Sequence, residues 1–124
     1  MQETQSPVLV VDDEENVAKI TRIMLERAGF PVAVAGSAQE AYDKIEGNEL
    51  EFGAAVIDMS LPGASGLDVA QRFRSHYPDA PILFTSGDFE DTWREQFAQL
   101  TPSAFIQKPF GSDALLAKLR GFAE

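Results

Sequence analysis

Three aspartates close two short apolar runs in this chain, Asp12 and Asp13 after Val8 to Val11 and Asp58 after Ala54 to Ile57. Two further apolar runs end in groups that can hold an anion. Ile82 to Phe84 leads into Thr85, Ser86 and Gly87, and Ala104 to Ile106 leads into Gln107, Lys108 and Pro109. Carboxylates that share a pocket repel one another by roughly 4 kcal/mol at about 4 Å and an effective dielectric near 20. Either one of them takes up a proton, or a hard divalent cation such as Mg2+ binds with oxygen ligands. With a cation present, Lys108 and the Thr85 hydroxyl could hold the oxygens of a phosphoryl group. Asp58 would then be the nucleophile, because an aspartate accepts phosphate as a mixed anhydride.

For these groups to meet, each apolar run must be a strand and all must end on one edge of a sheet. Uninterrupted apolar runs of this length fit strands covered on both faces, the signature of a parallel sheet. Helical patterns alternate with them. Glu14 to Ala28 carries Val17, Ile20, Met24 and Ala28 at helical spacing, with Gly29 as its stop. Val32 to Ala35 is a short strand, and Ser37 with Glu40 forms a capping box before Ala38, Ala41, Tyr42 and Ile45, closed by Gly47 and Asn48. Leu61, Pro62, Gly63, Ser65 and Gly66 read as a turn after Asp58. Ser65 and Asp68 can cap a helix through Leu67, Ala70, Phe73 and Tyr77, ended by Pro78. Asp88 to Leu100 shows Phe89, Trp93, Phe97 and Leu100 at helical spacing, and the last helix starts near Ser112 with Leu115, Leu119 and Phe122. Five strands alternating with five helices predict an α/β fold of βαβ units, with the ligand site outside the carboxyl ends of the strands.

The length, 124 residues, suits one domain, residues 1–124, with residues 1–6 as a flexible tail. A formal charge of -10 and the absence of a basic cluster argue against nucleic acid and against an anionic membrane surface. No cysteine is present, which excludes disulfides, zinc thiolate sites and a cysteine nucleophile. No apolar stretch approaches the roughly 18 residues of a spanning helix, and no signal core follows Met1, so a cytoplasmic setting is expected.

The acidic pair Asp12 and Asp13, Asp58 with its LPG turn and Gly66, Thr85, and the pair Lys108 and Pro109 occur in this order from about Val8 to the end of the chain. Together they resemble the response-regulator receiver domains of two-component signalling, of the single-domain chemotaxis-regulator kind. The resemblance implies a flavodoxin-like doubly wound sheet of five parallel strands, order 2-1-3-4-5, with five helices. It implies that a histidine kinase or a histidine phosphotransfer protein passes a phosphoryl group to Asp58, as in a phosphorelay. Mg2+ or Mn2+ would be held by Asp13, Asp58 and the Ser60 backbone carbonyl, with Asp12 acting through water. The Lys108–Pro109 bond would be cis. Thr85 and Phe105 would form the switch, and a downstream protein would read the face built from the fourth helix, fifth strand and fifth helix. Such a domain is a signalling receiver that assists its own phosphorylation and slow dephosphorylation, not an enzyme.

Three other readings use parts of the same pattern. A flavin-binding electron carrier shares the sheet order, but two carboxylates after the first strand oppose a bound phosphate. A dehalogenase-type phosphatase needs a general acid two residues after the nucleophile, where this chain has Ser60. A receiver-like adaptor that is never phosphorylated has no need of the full acidic set. Taken singly, Asp12 and Asp13 could be helix caps, Lys108 a surface lysine and Phe105 simple core.

Overall fold

The computed structural model describes residues 6–47, 50–61 and 66–121. Residues 1–5 of the expected tail, the Asn48 stop, the turn residues 62–65 with the Ser65 cap, and Phe122 lie outside them. The strands are β1 (Val8–Val11), β2 (Val32–Ala35), β3 (Ala54–Asp58), β4 (Ile82–Ser86) and β5 (Ser103–Gln107). They pair in parallel, as the alternation of strands and helices predicts, and in the order β2-β1-β3-β4-β5 that the receiver resemblance implies. β1, β3 and β4 are buried along their whole length, which is why their sequences do not alternate. Helices α2 (Ala38–Glu46), α3 (Gly66–His76) and α4 (Trp93–Ala98) cover one face, and α1 (Glu15–Arg27) and α5 (Ser112–Gly121) cover the other.

Helix ends follow the expected chemistry. Ser37 Oγ accepts from the Glu40 N–H at 3.1 Å and caps α2. Gly29, at φ 99, lets the chain turn back after α1, so that its N–H reaches Glu26 O and the Phe30 N–H reaches Leu25 O, both at 3.0 Å.

Two expectations are corrected. The face of α1 that enters the core is Ala18, Thr21 and Leu25, one residue on from the expected stripe of Val17, Ile20, Met24 and Ala28. Both stripes have helical spacing, and the buried one is disguised by Thr21, whose hydroxyl is satisfied by donating to Val17 O at 2.8 Å. Ile20 is left 52% exposed. The fourth helix covers only Trp93–Ala98 instead of the expected Asp88 to Leu100. Its approach is a tight turn in which the Trp93 and Arg94 N–H groups donate to Glu90 O and Asp91 O, three residues back. Gly87, Asp88 and Asp91 favour turns over helix, and Phe89 packs on Phe105 with ring centroids 5.0 Å apart.

At the opposite end of the sheet from the acids, Arg74 ties α3 to the loops that enter β4 and β5. Its guanidinium donates to the carbonyls of Tyr77, Ala80, Leu100 and Pro102 at 2.6 to 3.3 Å. Four loop carbonyls thus converge on one side chain, and the Pro102 carbonyl also accepts the Ile82 N–H at 3.0 Å. Arg74→Ala is expected to lower the unfolding free energy by about 2–4 kcal/mol in a urea titration, with Arg74→Lys restoring less than half, because an ammonium cannot span the four acceptors. A loss below about 0.5 kcal/mol would refute this role.

Candidate functional site

Strand register brings the chemistry to one row. Val11 pairs with Ile57, so Asp12 follows at the tip of β1 as Asp58 does at the tip of β3. Asp58 pairs with Thr85, and Thr85 with Ile106. This edge is where the chain order reverses, since β2 lies on one side of β1 and β3 on the other. The Lys108 N–H donates to Ser86 O at 2.8 Å, and the Lys108–Pro109 bond is cis, as expected. A second cis bond, Thr101–Pro102, was not expected.

Gly66 sets how close α3 comes to this edge. A Cβ built there would stand 2.4 Å from Asp58 O and 3.0 Å from Met59 Cα, both backbone atoms, so only a glycine allows the helix to start against the acid's own peptide.

Lys108 Nζ lies 2.8 Å from Asp12 Oδ2, 3.4 Å from Glu14 Oε1 and 3.5 Å from Asp58 Oδ2. Asp12 and Asp58 are 5% and 1% exposed. Asp58 Oδ1 accepts the Ser60 N–H at 3.1 Å, whereas Oδ2 is buried with no hydrogen-bond partner among the described residues; its contact with Lys108 is a long ion pair. Burial pushes the Asp58 carboxyl above its ordinary value, against the pull of the Ser60 N–H and the Lys108 charge. Burial alone would lower the Lys108 ammonium, but its hydrogen bond to Asp12 and the charges of Asp12, Asp58 and Glu14 outweigh it and raise it.

Carboxylate oxygens of Asp12, Glu14 and Asp58 lie within 4.8 Å of one another. One ammonium faces three acids, and one oxygen of Asp58 lacks a hydrogen-bond donor among the described residues. That donor set fits a hard divalent cation, which would neutralise the surplus charge.

Of the expected site residues, Asp12, Asp58, Ser60 and Lys108 come together, with Thr85 buried beside Asp58 in the row. Asp13 does not join them. It is exposed and lines, together with Asp12, a depression that also carries Lys19, Arg22 and Glu40. The reason is local: Asp12 Oδ1 accepts the Glu14 N–H at 2.9 Å, a turn that throws Asp13 outward and brings Glu14 over Asp58. Glu14 reads in the sequence as a helix N-terminal charge, and nothing in its spacing marks it as a site residue. Also unexpected is an apolar wall of Val17, Ile20, Met24 and Phe110 around the cavity of about 410 Å³ that opens on Asp58 and Lys108. Three residues of the stripe at helical spacing, Val17, Ile20 and Met24, thus belong to this wall.

Phe105 lies on the other face of the sheet. It is half-buried on β5, beside Phe84 in register, and its ring meets those of Phe89, Trp93 and Phe97. Phe89 belongs to the segment that runs from Thr85 to α4, so that segment and Phe105 share a contact.

The chain matches the model of the response regulator receiver domain over residues 8–120. It belongs to that family. The transcriptional regulatory protein FixJ of Bradyrhizobium diazoefficiens is 29% identical over 116 residues, 94% of this chain and 56% of FixJ. The chain spans about half the length of the curated relatives it matches. The chemotaxis protein CheY4 of Vibrio cholerae superposes with a TM-score of 0.86 at 24% identity, over 95% of this chain and 98% of CheY4. A response regulator of Burkholderia pseudomallei, solved with a phosphorylated aspartic acid, calcium ion and citrate, gives 0.84 at 28% identity over 93% of this chain and 66% of its own.

Because the folded chain holds the Asp58 proton more tightly than the unfolded chain does, the cost of ionising Asp58 in the fold is absent below about pH 4 and appears as pH rises. Asp58→Asn is therefore expected to raise the midpoint of thermal unfolding by about 3–6 °C near neutral pH in chelator, with the gain shrinking as pH falls toward about 4. A variant no more stable than the parent at neutral pH would show that Lys108 fully compensates the buried charge.

Proposed function

We propose that this receiver takes a phosphoryl group on Asp58 from a phosphohistidine on a histidine kinase or a phosphotransfer protein. The observation that carries the reading is the buried Asp58 carboxylate, one oxygen without a hydrogen bond, set beside Lys108 at the mouth of a cavity. The phosphorylated aspartate of the Burkholderia relative supports it.

In the transfer, a carboxylate oxygen of Asp58 attacks phosphorus, the P–N bond breaks, and the imidazole leaves and takes a proton from solvent. The Ser60 N–H holds the other carboxylate oxygen and so orients the acid. Lys108 and the Thr85 hydroxyl bind phosphoryl oxygens as charge moves onto them. Asp13, Asp58 and the Ser60 carbonyl would hold Mg2+ or Mn2+, with Asp12 acting through water, and the cation would supply charge neutralisation when bound. Asp13, exposed in this structure, would have to turn in from solvent to take part. Its substitution, Asp13→Asn, would raise the Mg2+ requirement, and an unchanged requirement would leave Asp13 outside the cation site.

As Thr85 moves to the phosphoryl group it draws on the segment that carries Phe89, and Phe105 repacks. The face of α4, β5 and α5 is where a downstream protein would read that change. Phe105 carries no hydroxyl, so this face offers its partner shape and no hydrogen bond from that ring.

Incubation with acetyl phosphate and Mg2+, followed by intact mass, tests the reading. One phosphoryl group is expected, removed by hydroxylamine, absent in Asp58→Asn and prevented by a chelator. Lys108→Ala is expected to slow uptake about 10- to 100-fold. A hydroxylamine-resistant phosphate would move the modification to a serine or threonine and overturn the assignment.

A further inference from the structure

Glu14 stands at the rim of the cavity whose floor carries Asp58 and Lys108. Its side chain is 62% exposed, while Asp12 and Asp58 are buried. An ammonium has three N–H donors; here Asp12 at 2.8 Å and Glu14 at 3.4 Å engage two of them, while the Asp58 oxygen at 3.5 Å accepts none. A phosphoryl group carries several oxygens, so once one takes the remaining donor a second is held only by a donor already engaged. Taking it from Asp12 would strand a buried charge, whereas Glu14 gives up a long contact and regains water. The donor turned toward Glu14 is the one that can be released.

We propose that Glu14 is a charge gate on the Asp58 site. Its carboxylate competes with the phosphoryl group for Lys108 and repels doubly charged donors at the rim, so the site reacts slowly with small dianionic acyl phosphates. The inference rests on the phosphoacceptor reading of Asp58. It makes Glu14 a specificity residue and not a cation ligand, although its carboxylate lies within 4.8 Å of those of Asp12 and Asp58, and the Mg2+ requirement of Glu14→Gln distinguishes the two roles. Neighbouring Glu15 supplies the control, because it carries the same charge but lines the depression on the far side of the acidic turn.

Uptake is compared in the parent, Glu14→Gln and Glu15→Gln with acetyl phosphate, a dianion near neutral pH, and with phosphoramidate, largely a monoanion there. Glu14→Gln is expected to react about three- to tenfold faster with acetyl phosphate and no more than about twofold faster with phosphoramidate, the difference narrowing toward about 0.5 M salt. Glu15→Gln should match the parent. Equal gains in both variants would assign the effect to net charge, equal gains with both donors would remove the charge selectivity, and a raised Mg2+ requirement in Glu14→Gln would make it a cation ligand. Each of these overturns the gate. Sulfate, a dianion that does not react, separates the two readings when its binding is followed by NMR in the presence of Mg2+. Tighter sulfate binding by Glu14→Gln with no covalent product in any protein would sink the phosphoacceptor reading and keep the gate. Covalent product without a gain in either assay would do the reverse.

Discussion

Lys108 Nζ sits 2.8 Å from a buried Asp12 and 3.5 Å from a buried Asp58, and the edge of the sheet is organised around that ammonium. Without it, two carboxylates with almost no access to water would stand side by side, a repulsion of roughly 4 kcal/mol at about 4 Å and an effective dielectric near 20. With it, the acids tolerate burial but are not fully satisfied, since one Asp58 oxygen has no hydrogen bond among the described residues. Incomplete neutralisation is what keeps the site receptive. A fully paired cluster would have nothing to offer a cation or a phosphoryl group, and an unpaired one would take up a proton and lose its nucleophile.

The backbone holds this balance in place. Parallel register puts Asp58 beside Thr85 on the tip of the next strand, and Gly66 lets α3 begin against the Asp58 carbonyl. A hydrogen bond from the Ser60 N–H leaves one oxygen of the acid facing Lys108 and the cavity. Far from the chemistry, Arg74 fixes the loops that feed β4 and β5, the strands that deliver Thr85 and Lys108. Two ends of one sheet are thus secured by two cations of different kinds. A planar guanidinium reaches four carbonyls, and a point-like ammonium reaches three carboxylates.

The two faces of the sheet divide the work. Asp58 and Thr85 belong to the register row that opens toward α1 and the apolar wall of Val17, Ile20, Met24 and Phe110. Phe105 points into the aromatic group on the other face, where Phe89, Trp93 and Phe97 surround it. The segment from Thr85 to α4 passes from one face to the other. In the proposed switch, a displacement at the acidic edge would reach the aromatic group through that segment, because a close-packed interior transmits small shifts.

The parallel sheet and the edge that carries the acids were legible in the sequence, because buried strands read as apolar runs and each run ended in a chemically distinctive residue, whereas the strand order came from the receiver resemblance. The Ser37 cap and the Gly29 stop were legible for the same kind of reason: they are local, and their side chains act within a few residues. Which stripe of α1 enters the core was not, since two stripes one residue apart share the helical period and only contact with the sheet chooses between them. The fourth helix was overread because aromatic spacing that serves a cluster with β5 looks the same as spacing along a helix. That Glu14 and not Asp13 stands beside Lys108 was not legible, because a hydrogen bond from the Glu14 N–H to Asp12 sets the turn, and adjacent acids are equivalent until that turn is made. By itself, the sequence determined which elements form and which residue types meet at their ends, since burial period and capping are written residue by residue. Tertiary structure alone decided which oxygens share Lys108, because distances between side chains far apart in the chain arise only when strands pair and helices dock.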